Sequence, residues 1–289
     1  MPEANLTLFF IVEAPNYQVF ACYLAASIKQ QFDEPIKLIG YCPAHKLNDL
    51  DPKAVGILDK MGVEIRTFEA EGKFVPDYPH GNKILACLEP RDTPYSGFVD
   101  SDVLFLKKNK IENILTPGKV SLTPAASMYW AQRSLWPMIY GALDMDVPEE
   151  RIYLLRQKGR PKVPYFSSGF FTFPEGPLPG VGKRFSEVWM DVAQTIDGIE
   201  DLENKRPYLD QMSLPVAIKR AGIEYHLMPE KQHWILGGSL RNTPFPTDRD
   251  IHTVHYRKWE ILGENDLARP AKRMLHRHAG VKKVSQFVL

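Results

Sequence analysis

Apolar runs and helical repeats alternate over the first hundred residues. The continuous apolar run at 6–12 is typical of a strand that is buried on both faces of a parallel sheet. Apolar or alternating runs at 36–41, 63–68 and 95–99 predict three further strands. The segments between these strands have helical patterns at 16–32, 56–62 and 82–88.

The resulting order, β-α-β-α-β-α-β, predicts the α/β class, with a mostly parallel sheet and helices on both faces. Ligands of such sheets bind beyond the carboxyl ends of the strands. Asp100 directly follows the fourth predicted strand, and Glu13 and Asn16 follow the first. We therefore expect a binding site at this edge.

The second half of the chain is less regular. A strand with a central glycine is predicted at 165–173, and short strands are predicted at 223–229 and 251–256. Helices are predicted at 184–196 and at 209–222, the latter with Pro215 in its first turns and Gly222 at its end. Segments rich in proline, at 134–180 and 234–247, are interpreted as loops over a site, with His233 and Trp234 lining an acceptor pocket.

Composition narrows the class of protein. The chain has 289 residues, is 44% hydrophobic and 25% charged, and carries a net charge of +1, which argues against a nucleic-acid binder. No apolar stretch reaches the roughly 18–20 residues that span a bilayer, and no signal peptide is predicted. Cys22, Cys42 and Cys87 lack metal-like spacing and are expected to be reduced core thiols of a cytoplasmic protein.

Two carboxylates, Asp100 and Asp102, stand one residue apart in the stretch YSGFVDSDVLFL. If this stretch is extended, both side chains project to the same side and face one cation. Hard oxygen ligands of this kind suit Mg²⁺ or Mn²⁺ carrying a phosphate. The alternative is a turn or a helix cap, where Asp and Ser are also common.

GFVDSDVLFL resembles the D-x-D segment of glycosyltransferases with the GT-A fold, a Rossmann-like nucleotide-diphospho-sugar transferase fold. GNKILACL resembles the short helix before that motif, FSSGFFTF the F-N-x-G strand, YLDQMSLPVAI the D-Q helix, and IHTVHYRKW the late H-(F/Y)-x-G-x-x-K-x-W segment. The set is similar to the retaining family 8, which includes glycogenin and bacterial lipopolysaccharide galactosyltransferases. The departures are a serine, Ser167, in place of the asparagine, and a late segment without its glycine.

The resemblance implies a metal-dependent transfer of a sugar from a nucleotide-diphosphate donor, a UDP-sugar, to a saccharide or other hydroxyl acceptor with retention. It implies Mn²⁺, or Mg²⁺, as the cofactor, and three sets of residues. The metal ligands are Asp100, Asp102 and His255, with His252 as the competitor of His255 on the opposite strand face. The donor residues are Glu13, Asn16, Tyr17, Lys83, Asp100, Ser101, Asp102 and Lys258, and the catalytic pair is Asp210 and Gln211.

The same resemblance predicts a single catalytic domain over 1–260, with a nucleotide-binding half at 1–106 and an acceptor half at 107–260. The segment 261–289 is predicted to be a basic tail that is either solvated or held peripherally at the inner membrane face. For Asp210, an N-cap of the following helix is the structural alternative.

Two other functions are compatible with these residues. A haloacid-dehalogenase-like phosphatase would use Asp100 as its nucleophile, although its motif normally opens the domain, whereas three strands precede it here. A non-catalytic relative that only binds nucleotide-sugars is also compatible. A nucleotidyltransferase fits less well, because the loop after the first strand contains no glycine.

Overall fold

The computed structural model describes residues 4–157, 159–237, 240, 245–246 and 248–281. The strands are β1 (Leu6–Ile11), β2 (Ile36–Pro43), β3 (Val63–Phe68), β4 (Tyr95–Val99), β5 (Val103–Phe105), β6 (Val120–Pro124), β7 (Phe166–Pro174), β8 (Tyr225–Leu227), β9 (Trp234–Ile235) and β10 (Thr253–His255). The α-helices are α1 (Tyr17–Gln31), α2 (Pro52–Lys60), α3 (Asn82–Leu88), α4 (Leu135–Gly141), α5 (Phe185–Asp197), α6 (Leu209–Ala221), α7 (Trp259–Glu264) and α8 (Ala268–Ala279).

Seven of these strands form one sheet in the order β3-β2-β1-β4-β7-β6-β8. Strands β1 to β4 are mutually parallel, whereas β7 runs antiparallel between β4 and β6. A smaller sheet has the order β5-β10-β9. The predicted α/β class with a mostly parallel, helix-flanked sheet is confirmed.

Strand β1 shows why the first apolar run is continuous. Successive side chains of a strand point to opposite faces of the sheet. Leu8 and Phe10 belong to one hydrophobic cluster, with α1 and α2, and Phe9 belongs to the other, with α3, α5 and α6. Because both faces are covered, no position of the strand interior is left for a solvent-exposed polar residue.

The elements predicted from long apolar or helical patterns are present, and the bounds of the predicted strands β1 to β4 and β7 differ by at most two residues. The interpretation of 134–180 and 234–247 as loops is partly wrong, because they contain α4 and β9. Pro215 lies in the second turn of α6, within its first turns as predicted. Gly222 ends α6 with φ of 62°, a left-handed conformation that suits glycine.

The basic C-terminal segment is largely a packed helix. α8 packs against α1, and its buried side is formed by Ala271, Met274, Leu275 and Ala279. The basic side chains of α8 point outward, whereas Lys282 and Lys283 lie outside the described residues. Among the helices that the structure describes, none combines the length and the apolar character needed to cross a membrane.

Candidate active site

A cleft of about 780 Å³ opens where β1 and β4 end. Ile11 and Asp100, at the ends of these strands, both line it, as the rule for parallel sheets leads us to expect. Asn16 is not among the lining residues, and its backbone carbonyl accepts hydrogen bonds at the start of α1. The other predicted site residues all line the cleft: Glu13, Tyr17, Lys83, Asp100, Ser101, Asp102, Asp210, Gln211, His255 and Lys258.

The two aspartates lie on a turn between β4 and β5, not on an extended segment. The backbone N–H of Val103 donates to the carbonyl of Asp100 at 3.0 Å, which closes the turn. The expectation of an extended stretch at 100–102 is therefore wrong, and the alternative of a turn is right about the backbone. The carboxylates still converge, because the chain folds back at the strand end.

His255, the last residue of β10, completes a cluster with the two aspartates. β10 pairs antiparallel with β5, which places His255 opposite Val103 and next to the turn. The His255 Nε2 lies 3.2 Å from Asp102 Oδ1 and 3.8 Å from Asp100 Oδ2, and one ligand atom of each residue lies within 4.8 Å of the others. His252 points elsewhere, and its Nε2 lies 2.8 Å from Asp250.

This cluster fits a divalent cation by its chemistry and by its shape. Two carboxylates and one imidazole are ligands that Mn²⁺ and Mg²⁺ accept. His255 Nδ1 is buried without a hydrogen-bond partner in the described part of the chain. Burial favours a raised pKa for Asp102, but His255 and Arg257 hold that pKa below its ordinary value, so the carboxylate is charged.

Gly169, in the middle of β7, leaves the room that the cluster needs. A Cβ at this position would stand 2.8 Å from Asp100 Oδ2 and 2.8 Å from the ring of His255. Its backbone carbonyl also accepts a hydrogen bond from the N–H of Asp100 at 2.8 Å. The close approach of Asp100 and His255 to the backbone of β7 thus explains why the predicted strand has a glycine in its middle.

Lys83, on α3, connects Asp100 of the cluster with Asp210 on α6. Its ammonium lies 3.1 Å from Asp100 Oδ1 and 3.1 Å from Asp210 Oδ2, and the side chain is almost fully buried. Burial alone would lower the pKa of Lys83, but the two carboxylates raise it above its ordinary value. The lysine is therefore charged and sits between two acids.

Asp210 lies in the first turn of α6, but it does not cap the helix. The N-cap position is Tyr208, and the Asp210 carboxylate accepts from Ser168 Oγ at 2.5 Å and from Tyr78 Oη at 3.1 Å. Burial would raise the pKa of Asp210, but Lys83 and Ser168 lower it. The N-cap alternative is wrong, because tertiary contacts take up both oxygens.

The remaining predicted residues are distributed around the cleft. Tyr17 is 44% exposed, so it is not a core residue, and it lies at the rim. Glu13 pairs with Lys46 and accepts from Asn82 at 3.3 Å. Ser101 donates to the carbonyl of Ile11 and so ties the ends of β4 and β1 together.

Several residues of the site were not predicted. Tyr165, which was not predicted, donates from its hydroxyl to Gln211 at 3.0 Å, and Arg257, with φ of 61°, lines the cleft beside Lys258. Arg257 follows His255 by two residues and lies inside the segment IHTVHYRKW, so that motif could have indicated it. Tyr78, which holds Asp210, stands 132 positions away in an irregular segment and gives no local signal.

The expectation that His233 and Trp234 line an acceptor pocket is wrong. Their exposed fractions are 0% and 3%, and neither residue lines the cleft. His233 Nε2 lies 3.0 Å from Ser167 Oγ, so the histidine supports β7 from below. The neighbouring residues Ile235 and Gly237 do line the cleft.

Residues 8–222 match the family described as the Rhodobacterales glycosyltransferase domain. The chain belongs to this family. No curated protein sequence matches the chain. The protein is therefore a glycosyltransferase, and the phosphatase alternative finds no support.

Solved structures agree about the fold of this glycosyltransferase. The galactosyltransferase LgtC, solved in complex with donor and acceptor sugar analogs, superimposes with a TM-score of 0.58 at 11% identity, over 96% of each chain. Mouse xyloside xylosyltransferase 1 in its apo form gives a TM-score of 0.51 at 12% identity, over 87% of this chain and 97% of that one. The fold is accordingly the GT-A fold that the D-x-D segment implied.

Proposed function

We propose that this glycosyltransferase depends on a divalent metal and moves a sugar from a UDP-sugar to a saccharide hydroxyl with retention. The observation that carries the proposal is the cluster of Asp100, Asp102 and His255 in the wall of a cleft large enough for a nucleotide-sugar. The family match supports the transfer of a glycosyl group, and the donor, metal and stereochemistry are our extension of it.

The three clustered residues would hold the cation, and the mixed carboxylate and imidazole set favours Mn²⁺ over Mg²⁺. When bound, a divalent cation neutralises the negative charge that grows on the leaving diphosphate. Lys258 and Arg257 are both exposed in the cleft, where they would add fixed positive charge beside the oxygens of that diphosphate. Tyr17 at the rim offers an aromatic face to the nucleotide base.

In this proposal the sugar lies against Asp210 and Gln211, which both line the cleft. The transition state of glycosyl transfer resembles an oxocarbenium ion, so a negative charge near the anomeric carbon stabilises it. Asp210 supplies such a charge while Lys83, Ser168 and Tyr78 fix its position. We expect Gln211 to orient the sugar or its acceptor, with its own amide oriented by Tyr165.

The test is a melting-temperature assay followed by a nucleotide-sugar screen. We expect UDP with Mn²⁺ to raise the melting temperature, and Asp102→Asn to abolish the shift. Asp250→Asn, which changes an exposed aspartate away from the cluster, serves as the control and keeps the shift. The release of UDP from UDP-sugars with Mn²⁺ identifies the donor, and the anomeric configuration of the product, read by NMR, reports retention.

Two outcomes would contradict the proposal. If neither UDP nor GDP shifts the melting temperature with any divalent metal, the cluster is not a donor site. If UDP binds with Mn²⁺ but no sugar is released or transferred from any donor, the protein is a binding relative without catalysis.

We further propose a cytoplasmic location with peripheral contact at the inner membrane face. Cys22, Cys42 and Cys87 are all free and buried, which supports a reducing compartment. On α8 the exposed side carries Arg269, Lys272, Arg273 and Arg277, and such a basic surface attracts anionic headgroups. Because α1 covers the apolar side of α8, this contact would be electrostatic and sensitive to salt.

A further inference from the structure

A second cleft lies beside the candidate active site and is lined by basic side chains. Its volume is about 720 Å³, close to that of the active-site cleft. Trp136, on α4, is an aromatic member of the lining. The described residues that line it include no acid, and its basic members are Arg133, Arg151, Arg156, Arg160 and Lys162.

Most of these cations have no acidic partner. Arg156 is the exception, with Glu230 at 2.7 Å. In the part of the chain that the structure describes, no acidic side chain pairs with Arg133, Arg160 or Lys162, and all three are exposed. The whole chain has 36 basic and 35 acidic residues, so this excess is local and does not reflect a basic protein.

The two clefts share a wall. Tyr129 lines both of them and is 86% exposed. Gln157 donates to the carbonyl of Ala126 at 2.6 Å, and Ala126 lines the active-site cleft. Arg156 donates to the carbonyl of Ile235 at 2.6 Å, which ties the basic cleft to the same wall. The two clefts are therefore adjacent, and an extended ligand that occupied both would pass over Tyr129.

We propose that the basic cleft binds an anionic substituent of the acceptor, a phosphate or a carboxylate, while the acceptor hydroxyl lies in the active-site cleft. This inference rests on the proposed transferase function and specifies its acceptor class. The guanidinium fork of arginine matches both anions in a bidentate geometry. Tyr129 supplies a flat face for a sugar ring between the two clefts.

The experiment compares neutral and charged forms of the same sugars. The probes are maltose, lactose and cellobiose, each as the free disaccharide, the 6′-phosphate and the 6′-uronate. Binding is measured by saturation-transfer NMR in the presence of UDP and Mn²⁺. We expect at least one charged form to bind tenfold more tightly than its neutral parent, and the phosphate and uronate arms show which anion is preferred.

Arg133→Gln/Arg160→Gln is the test variant, because both side chains are exposed and their removal leaves no buried partner. We expect it to remove the advantage of the charged form. Lys53→Gln/Lys60→Gln on α2 removes the same number of charges near the β3 edge of the sheet, the opposite edge from β6 and β8, and should keep the advantage.

Three results would overturn the inference. One is equal binding, or no binding, of the charged and neutral forms to the wild type. Another is an advantage that persists in Arg133→Gln/Arg160→Gln. The last is a variant that loses binding to phosphatidylglycerol vesicles with glycan binding unchanged, which would make the cleft a membrane contact. Binding of UDP with Mn²⁺ to the wild type, measured separately, tells a failure of this inference from a failure of the transferase proposal.

Discussion

The geometry of the cluster formed by Asp100, Asp102 and His255 depends on Gly169. Its missing side chain leaves the space into which Asp100 and His255 both reach. We expect Gly169→Ala to raise the Mn²⁺ dissociation constant at least tenfold, about 1.4 kcal/mol, because the added methyl group displaces two ligands at once. Overpacking should also cost about 1–3 kcal/mol of stability.

A manganese titration followed by EPR measures this effect. Gly176→Ala is the matched control, because a Cβ there meets nothing within 4 Å. An unchanged dissociation constant in Gly169→Ala would show that the cluster does not hold the ion.

His233 makes the stability of the protein depend on pH. Burial, with the charges of His255, Arg257 and Lys83, holds its pKa well below the ordinary value. The folded state therefore keeps His233 neutral, whereas the unfolded chain takes up a proton below a pH of about 6.5. Stability is fully present above that pH and falls as the pH decreases, by about 1.4 kcal/mol per unit at most for this group.

Urea denaturation of the wild type and of His233→Gln between pH 5 and pH 8 measures this contribution. We expect the stability difference between the two proteins to be constant above pH 7 and to shrink toward pH 5. Two curves that stay parallel over the whole range would show that His233 takes up a proton as readily in the folded state as in the unfolded chain.

Among individual residues, the charged side chains of the site could be predicted from the sequence better than the residues that hold them in place. Asp100, Asp102 and His255 belong to short motifs that can be recognised locally, and they cluster in the structure. Tyr78 and Ser168 act on Asp210 from distant parts of the chain. The Ser168 contact depends on the packing of α6 against β7, and the Tyr78 contact on the packing of α6 against the segment before α3, and local sequence patterns do not encode either.

At the scale of elements, α8 is an integral part of one hydrophobic cluster. Leu275 is 1% exposed and lies in the cluster that α1 and α2 share. We expect Leu275→Ala to lower the free energy of unfolding by about 2–5 kcal/mol, since it removes a buried side chain and leaves a cavity.

The exposed neighbour Arg273 provides the control, and Arg273→Gln should change stability by less than about 0.5 kcal/mol. Chemical denaturation of both variants gives the comparison. If Leu275→Ala were as neutral as the control, the helix would be detached in solution.

Elements with many residues could be predicted from the sequence, whereas the shortest strands could not. Strands β1 to β4 and the long helices carry enough residues for their period to be read. The short strands β5 and β9 contain three and two residues and pair only because β10 lies between them. Their formation is a tertiary effect, and runs of two or three residues are too short to show a period.

At the scale of the whole molecule, the two predicted halves share one sheet. β4 lies in the segment 1–106 and pairs with β7 in the segment 107–260. β5 likewise pairs with β10 across the same boundary. We therefore propose that the halves are one cooperative unit, and we expect a single calorimetric transition whose van't Hoff and calorimetric enthalpies agree.

A fragment that ends at residue 106 should lack a cooperative transition, because β4 loses β7 and β5 loses β10. Two resolved transitions in the intact chain, or a cooperatively folded fragment, would show that the halves are separate domains.

The position of β7 has a consequence for how this enzyme can be altered. Its backbone is hydrogen-bonded to β4 on one edge and to β6 on the other. The part of the cleft that β7 forms, at Ser167, Ser168 and Gly169, therefore moves only if the sheet moves. The described residues of the wall between the clefts, 126–134, 151–157 and 159–163, include no strand that is paired on both edges, although Ile152 and Lys162 form an isolated bridge. Attempts to redirect the enzyme toward new acceptors should randomise that wall and leave the residues of β7 unchanged.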